Sequence, residues 1–117
     1  MRDERVFEVG GVHALVAEVP DVDPNRLLEV SDAEKRKRRP AAVVLATREN
    51  GKVHLVANFD NDVGQRVSAV DVIKQTAAVV GGGGGGRPTM ARAGGSEPEK
   101  LPEALETAQR LLQEGLS

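Results

Sequence analysis

Residues 81–95 read GGGGGGRPTMARAGG, and the fold turns on how this stretch is understood. It holds eight of the thirteen glycines of the 117-residue chain. Six consecutive glycines are costly to order, because glycine loses more backbone freedom on folding than any other residue. A floppy linker would meet that composition, but a linker does not normally end in Arg87-Pro88, Met90-Ala91 and Ala93-Gly94-Gly95. The stretch therefore reads as a long Gly-rich loop, ordered by itself or on binding. Consecutive amides without Cβ atoms, from Gly81, Gly82, Gly83, Gly84, Gly85 and Gly86, can line a concave surface for an anion.

Working outward, residues Ser68 to Val80 precede the glycines with helical spacing. Ala69, Val72, Ile73, Thr76, Ala77 and Val80 share one face, with Ser68 as N-cap and Asp71 in the first turn. After the glycines, Leu101, Leu105, Ala108 and Leu112 predict a helix from Pro98 or Pro102 to Gly115. Upstream, Ala41 to Ala46 is a continuous small-apolar run, the pattern of a strand buried on both faces. Glu49-Asn50-Gly51-Lys52 then predicts a hairpin, with Val53, Leu55 and Ala57 alternating on the return strand.

Earlier still, Val6 to Val19 alternates around Gly10-Gly11, as one strand or two. Asp23 and Pro24 start a helix that carries Leu27, Val30 and Ala33 and stops at Pro40. Asp60-Asn61-Asp62-Val63-Gly64 resembles a calcium loop only superficially, with its glycine one place early, and reads as a turn approaching a helix. The order of elements predicts an α/β domain: a small, mostly β-sheet layer, three helices packed on it and the Gly-rich loop. Residues 1–117 form one domain, with residues 1–5 reading as a flexible start.

Composition narrows the chemistry. There is no cysteine, tryptophan or tyrosine, and Phe7 and Phe59 are the only aromatics. Thiolate catalysis and disulfides are excluded, and no apolar run is long enough to cross a membrane; the chain reads as cytoplasmic. The two histidines, His13 and His54, fall in separate strand segments and make no metal-ligand cluster. The glycines match a dinucleotide fingerprint only trivially, because a helix precedes them and Arg87-Pro88 follows. What remains is an amide-rich loop with Arg87 and Arg92 beside it, suited to a phosphate backbone. Lys74 and Arg66 are candidate rim charges. Lys35-Arg36-Lys37-Arg38-Arg39 is either a solvated helix end or a second phosphate-contacting patch. With so few aromatics for base stacking, any RNA would be read by shape and backbone.

The glycine stretch, with the Leu-Pro-containing helix after it and the hairpin before it, closely resembles the C-terminal globular domain of bacterial alanyl-tRNA synthetases. The likeness covers about residues 9 to 117. It implies a non-catalytic domain that holds the elbow of alanine-specific tRNA and helps aminoacylation and editing cooperate. The implied partners are that tRNA, the catalytic and editing domains of the same enzyme and, as in some members, a second copy. ATP, magnesium and zinc would serve the parent enzyme; none is implied for this chain. The family pattern expects Asp where Thr89 stands and often Gln where Arg92 stands, and both changes add positive character. Two other readings stand beside this one: a structural or dimerisation module, and the phosphate- or nucleic-acid-binding domain that accompanies DHH-type phosphoesterases. The same loop could also take DNA or a small phosphorylated ligand.

Overall fold

A computed structural model describes residues 1–117. Six strands form one mixed sheet in the order β1-β2-β3-β4-β6-β5. Strands β1 (Arg2–Val9) and β2 (Val12–Glu18) pair antiparallel about Gly10-Gly11. Residues 1–5, expected to be a flexible start, therefore mostly belong to a strand: Arg2 lies opposite Glu18 and Arg5 opposite Val16. Arg5 is held further by Asp3 and by Gln109 at 3.2 Å.

Helix α1 (Pro24–Lys37) crosses over so that β3 (Ala41–Glu49) runs parallel to β2. It begins as its sequence requires, with Pro24 in the first turn and the Asp23 carboxylate accepting from the Arg26 N–H at 2.8 Å. β3 and β4 (Lys52–Phe59) make the expected hairpin, with Asn50 and Gly51 at positive φ and Glu49 opposite Lys52. Ala41 to Ala46 is wholly buried, because β3 is central and helices cover both of its faces.

A single turn, α2 (Asn61–Gly64), leads into α3 (Ala69–Val79). Ser68 precedes α3, but its hydroxyl makes no capping bond. The Pro88 carbonyl instead takes the Ala69 N–H at 2.8 Å, so a distant segment satisfies that donor. A 3-10 turn at Pro98–Lys100 precedes α4 (Leu101–Leu116), whose Leu101, Leu105, Leu112 and Leu116 are fully buried. Each such burial stabilises by about 1.5–3 kcal/mol.

The main departure from expectation lies at the glycines. Residues 81–95 are not a loop but a β-hairpin: β5 (Gly83–Gly86) turns back into β6 (Met90–Gly95), and β6 docks on β4. Arg87 and Met90 exchange backbone hydrogen bonds at 2.7 and 3.3 Å to close the turn. Gly81, at φ +69°, ends α3: its N–H reaches the Ala78 carbonyl and that of Gly82 reaches Ala77, the Schellman arrangement. Farther on, β5 and β6 approach so closely that a Cβ on Gly84 would overlap the Arg92 carbonyl oxygen. Glycine is low in intrinsic strand propensity; here the tertiary contact needs its missing side chain.

The two faces of the sheet are covered unequally. α3 and α4 close one face over a core of 23 buried residues, whereas α1 gathers only 8 on the other. α1 packs over β3 and β4 and leaves β6 and β5 open on its side. No helix is long and apolar enough to cross a membrane.

Candidate functional site

The open half-face has a distinct surface chemistry. Along β6, Ala91 and Ala93 join the core beneath α3 and α4, and Met90 packs toward α1. Arg92 lies opposite Val56, whose side chain belongs to the α1 side, so Arg92 stands exposed on that face. Met90 and Arg92 are about 7 Å apart along the strand. Beside them, Cβ positions on Gly83 and Gly85 would meet nothing within 4 Å. The half-face is thus a bare backbone platform with one cation on it.

At the end of this platform, the Arg87–Met90 turn and the last turn of α1 enclose a cleft of about 340 Å³. Lys35, Arg39 and Arg87 line it together with Asp32, Asn58 and Asp60. The cations differ in their commitments. Arg39 pairs with Asp60 at 3.1 Å, and the second oxygen of Asp60 accepts the Ala41 N–H at 2.7 Å. Lys37 and Arg38 both pair with Glu34, at 3.1 and 2.5 Å. Burial raises the pKa of Glu34, but hydrogen bonds from Lys37 and Arg38 and their charges outweigh it and hold the carboxyl below its ordinary value. Lys35, Arg87 and Arg92 are in no ion pair. The basic run of residues 35–39 therefore divides: part ties down the helix end, and Lys35 faces the cleft.

The candidate residues fall into three places. Gly83 to Gly86, Arg87 and Arg92 share the hairpin, with Gly81 and Gly82 leading into it. Lys74 is exposed on α3, across the sheet from Arg92. Arg66 donates to the carbonyls of Gly10 at 2.8 Å and Leu116 at 2.9 Å, bracing the β1–β2 turn against the end of α4. Lys35, Asp32 and Asn58 complete the cleft beyond what sequence reasoning had singled out for the loop. The basic run pointed to Lys35; nothing in the sequence links Asp32 or Asn58 to Arg87.

Other chemistry finds little support in the side chains present. His13 and His54 lie 3.4 Å from Glu8 and Glu49, each at a hairpin. No group of three or more His, Cys, Asp or Glu gathers in the structure.

Comparison with known proteins bears on most of the chain. The model of the DHHA1 domain family matches residues 11–114. The chain is 47% identical over 102 residues to the alanine–tRNA ligase of Burkholderia mallei, covering 87% of this chain and 12% of that protein. It is 48% identical over 101 residues to that of Paraburkholderia phytofirmans, covering 86% and 12%. The chain thus spans 12% of the length of the curated relatives it matches, and the match lies in their C-terminal region. Among solved structures, it is similar to the C-Ala domain from Aquifex aeolicus alanyl-tRNA synthetase, with TM-score 0.83 and 28% identity over 93% of this chain and 98% of that one. A DHH-domain protein described as a member of the s1p family of ribosomal proteins shares the fold alone, with TM-score 0.63 and 13% identity over 94% of this chain and 28% of that one.

Proposed function

Because the chain belongs to the DHHA1 domain family, we propose from its open glycine platform that it is the non-catalytic RNA-binding module of an alanine–tRNA ligase. It grips the elbow of alanine-specific tRNA, where the D and T loops meet, and helps aminoacylation and editing cooperate. The observation that carries this reading is the juxtaposition of bare backbone with unpaired cations. Gly83 and Gly85 let a nucleic-acid backbone lie against the sheet, and Arg87, Arg92 and Lys35 meet its phosphates. Glycine serves here because a side chain would hold the phosphates away from the strand. Arg87 sits in a turn closed by two hydrogen bonds, so its backbone is positioned before RNA arrives.

ATP and metal chemistry belong, in this reading, to other domains of the same cytoplasmic enzyme, and those domains are this module's protein partners. A second reading draws on β5, an edge strand with one side unpaired. Such an edge can add a strand from another chain, which would make the domain a dimerisation module.

Titration with full-length alanine tRNA and with an acceptor-stem minihelix that lacks the elbow, at two salt concentrations, separates these readings. Elbow recognition requires preference for the full tRNA, weakened by salt as counterions are released, and loss of affinity in Arg87→Ala without unfolding. Equal or absent binding to both RNAs, with self-association in sedimentation, would favour the dimer.

A further inference from the structure

The cleft between α1 and the Arg87–Met90 turn carries a donor and acceptor pattern that phosphate contacts leave unused. Asn58 is 1% exposed, and its Nδ2 donates to Ser31 Oγ at 3.0 Å and Asp32 Oδ1 at 2.7 Å. A carboxylate only accepts, so Asp32 fixes which way the amide faces and leaves Asn58 Oδ1 turned away from it. That oxygen receives no protein donor and is not sealed from solvent. The second oxygen of Asp32 is equally without a donor. Asn58 Oδ1 and the second oxygen of Asp32 are therefore free acceptors on two side chains that line the cleft, with the unpaired cations Lys35 and Arg87 around them.

We infer that this cleft takes the base of an unpaired guanine nucleotide, with Asn58 and Asp32 accepting from its N1–H and N2 amino group and Lys35 or Arg87 donating to O6. The inference rests on the RNA-binding reading, since a strand held by Arg87 and Arg92 is what delivers a base. Unpaired RNA bases are read along their Watson–Crick edges, and guanine alone among the four offers two adjacent donors there. Adenine and cytosine place a ring acceptor beside the amine, and the single N–H of uracil lies between carbonyls. Either arrangement would set lone pairs against Asn58 and Asp32. Asp60, the other carboxylate of the cleft, is already bound to Arg39 and the Ala41 N–H and does not compete. The volume lies at the small end of ligand sites, where a single nucleotide fits. Met90 supplies a half-buried thioether for the ring.

The test is a titration of the isotope-labelled domain with guanosine, inosine and adenosine monophosphates, followed at the Asn58 side-chain amide and Met90 methyl signals. Inosine differs from guanosine only in lacking the N2 amino group. The expected result is saturable shifts with guanosine monophosphate about tenfold tighter than with the other two, the scale of one hydrogen bond to a charged group. Asp32→Ala should erase that preference; if this variant does not fold, the wild-type comparison of guanosine with inosine still decides. Equal response to all three nucleotides overturns the base pocket. So does displacement of the Asn58 signal by free alanine or glycine, whose ammonium group could use the same acceptors. If full-length tRNA remains preferred over the minihelix in either case, the elbow reading survives alone; if that preference is also absent, both fail.

Discussion

Arg66 donates to the carbonyl of Leu116 at 2.9 Å, and its other terminal nitrogen reaches Gly10 at 2.8 Å. One exposed guanidinium thus joins the first hairpin to the last turn of the final helix, where unpaired carbonyls and the helix dipole favour a cation. Arg66→Ala is expected to cost about 1 kcal/mol, measured by chemical denaturation, with tRNA affinity unchanged. A fall in affinity without a change in stability would return Arg66 to the RNA surface.

The glycines of β5 are not equivalent. A Cβ on Gly84 would overlap the Arg92 carbonyl, whereas one on Gly85 would meet nothing within 4 Å. Gly84→Ala should destabilise by about 1–3 kcal/mol, the usual cost of overpacking, and loosen the β5–β6 hairpin in amide exchange. Gly85→Ala should leave stability within about 0.5 kcal/mol but weaken tRNA binding, because its methyl would stand on the open platform. Equal thermal shifts in the two variants would contradict this assignment.

Arg92 is exposed, unpaired and on the open face. If it neutralises one phosphate, Arg92→Ala should make the slope of log affinity against log salt shallower by about 0.7–0.9. Affinity measured at four or more salt concentrations gives that slope directly. An unaltered slope would remove Arg92 from the contact set.

Acid should weaken the end of α1. Burial disfavours ionised Glu34, yet Lys37 and Arg38 prevail and depress its folded pKa below the ordinary 4.5. A depressed carboxyl contributes stability that is fully present above its unfolded pKa and is lost as pH falls through the folded value. Stability should therefore decline as pH drops below about 4.5, and Glu34→Gln should flatten that decline while lowering stability at pH 7. Denaturation midpoints from pH 7 to pH 3 check both signs; identical pH profiles would dismiss the Glu34 contribution.

Much of this architecture is legible locally. Asp23-Pro24 starts α1, Asn50-Gly51 turns β3 into β4, and the apolar spacing of α3 and α4 matches the residues they bury. Each signal acts within a few residues, through a cap, a turn or a helical face, so the chain alone declares it. The likeness of residues 81–95 to a known family was likewise carried by the order of residues. Legibility failed at Gly83–Gly86, because glycine has no side chain to show strand periodicity and its pairing with Met90–Gly95 is enforced from the outside.

The sequence by itself thus determined the α/β class, the start of α1, the β3–β4 turn, the amphipathic helices and the kinship of the glycine stretch. Only the tertiary structure decided that the glycines form an edge hairpin, that Arg87 meets Lys35 across a cleft, and that Arg66 serves as a brace. It also set Asn58 against Asp32, 26 residues apart. The physical reason is that strand pairing and cleft formation depend on contacts between distant segments. Their partners are chosen by which faces α1, α3 and α4 cover, and no local pattern records that choice.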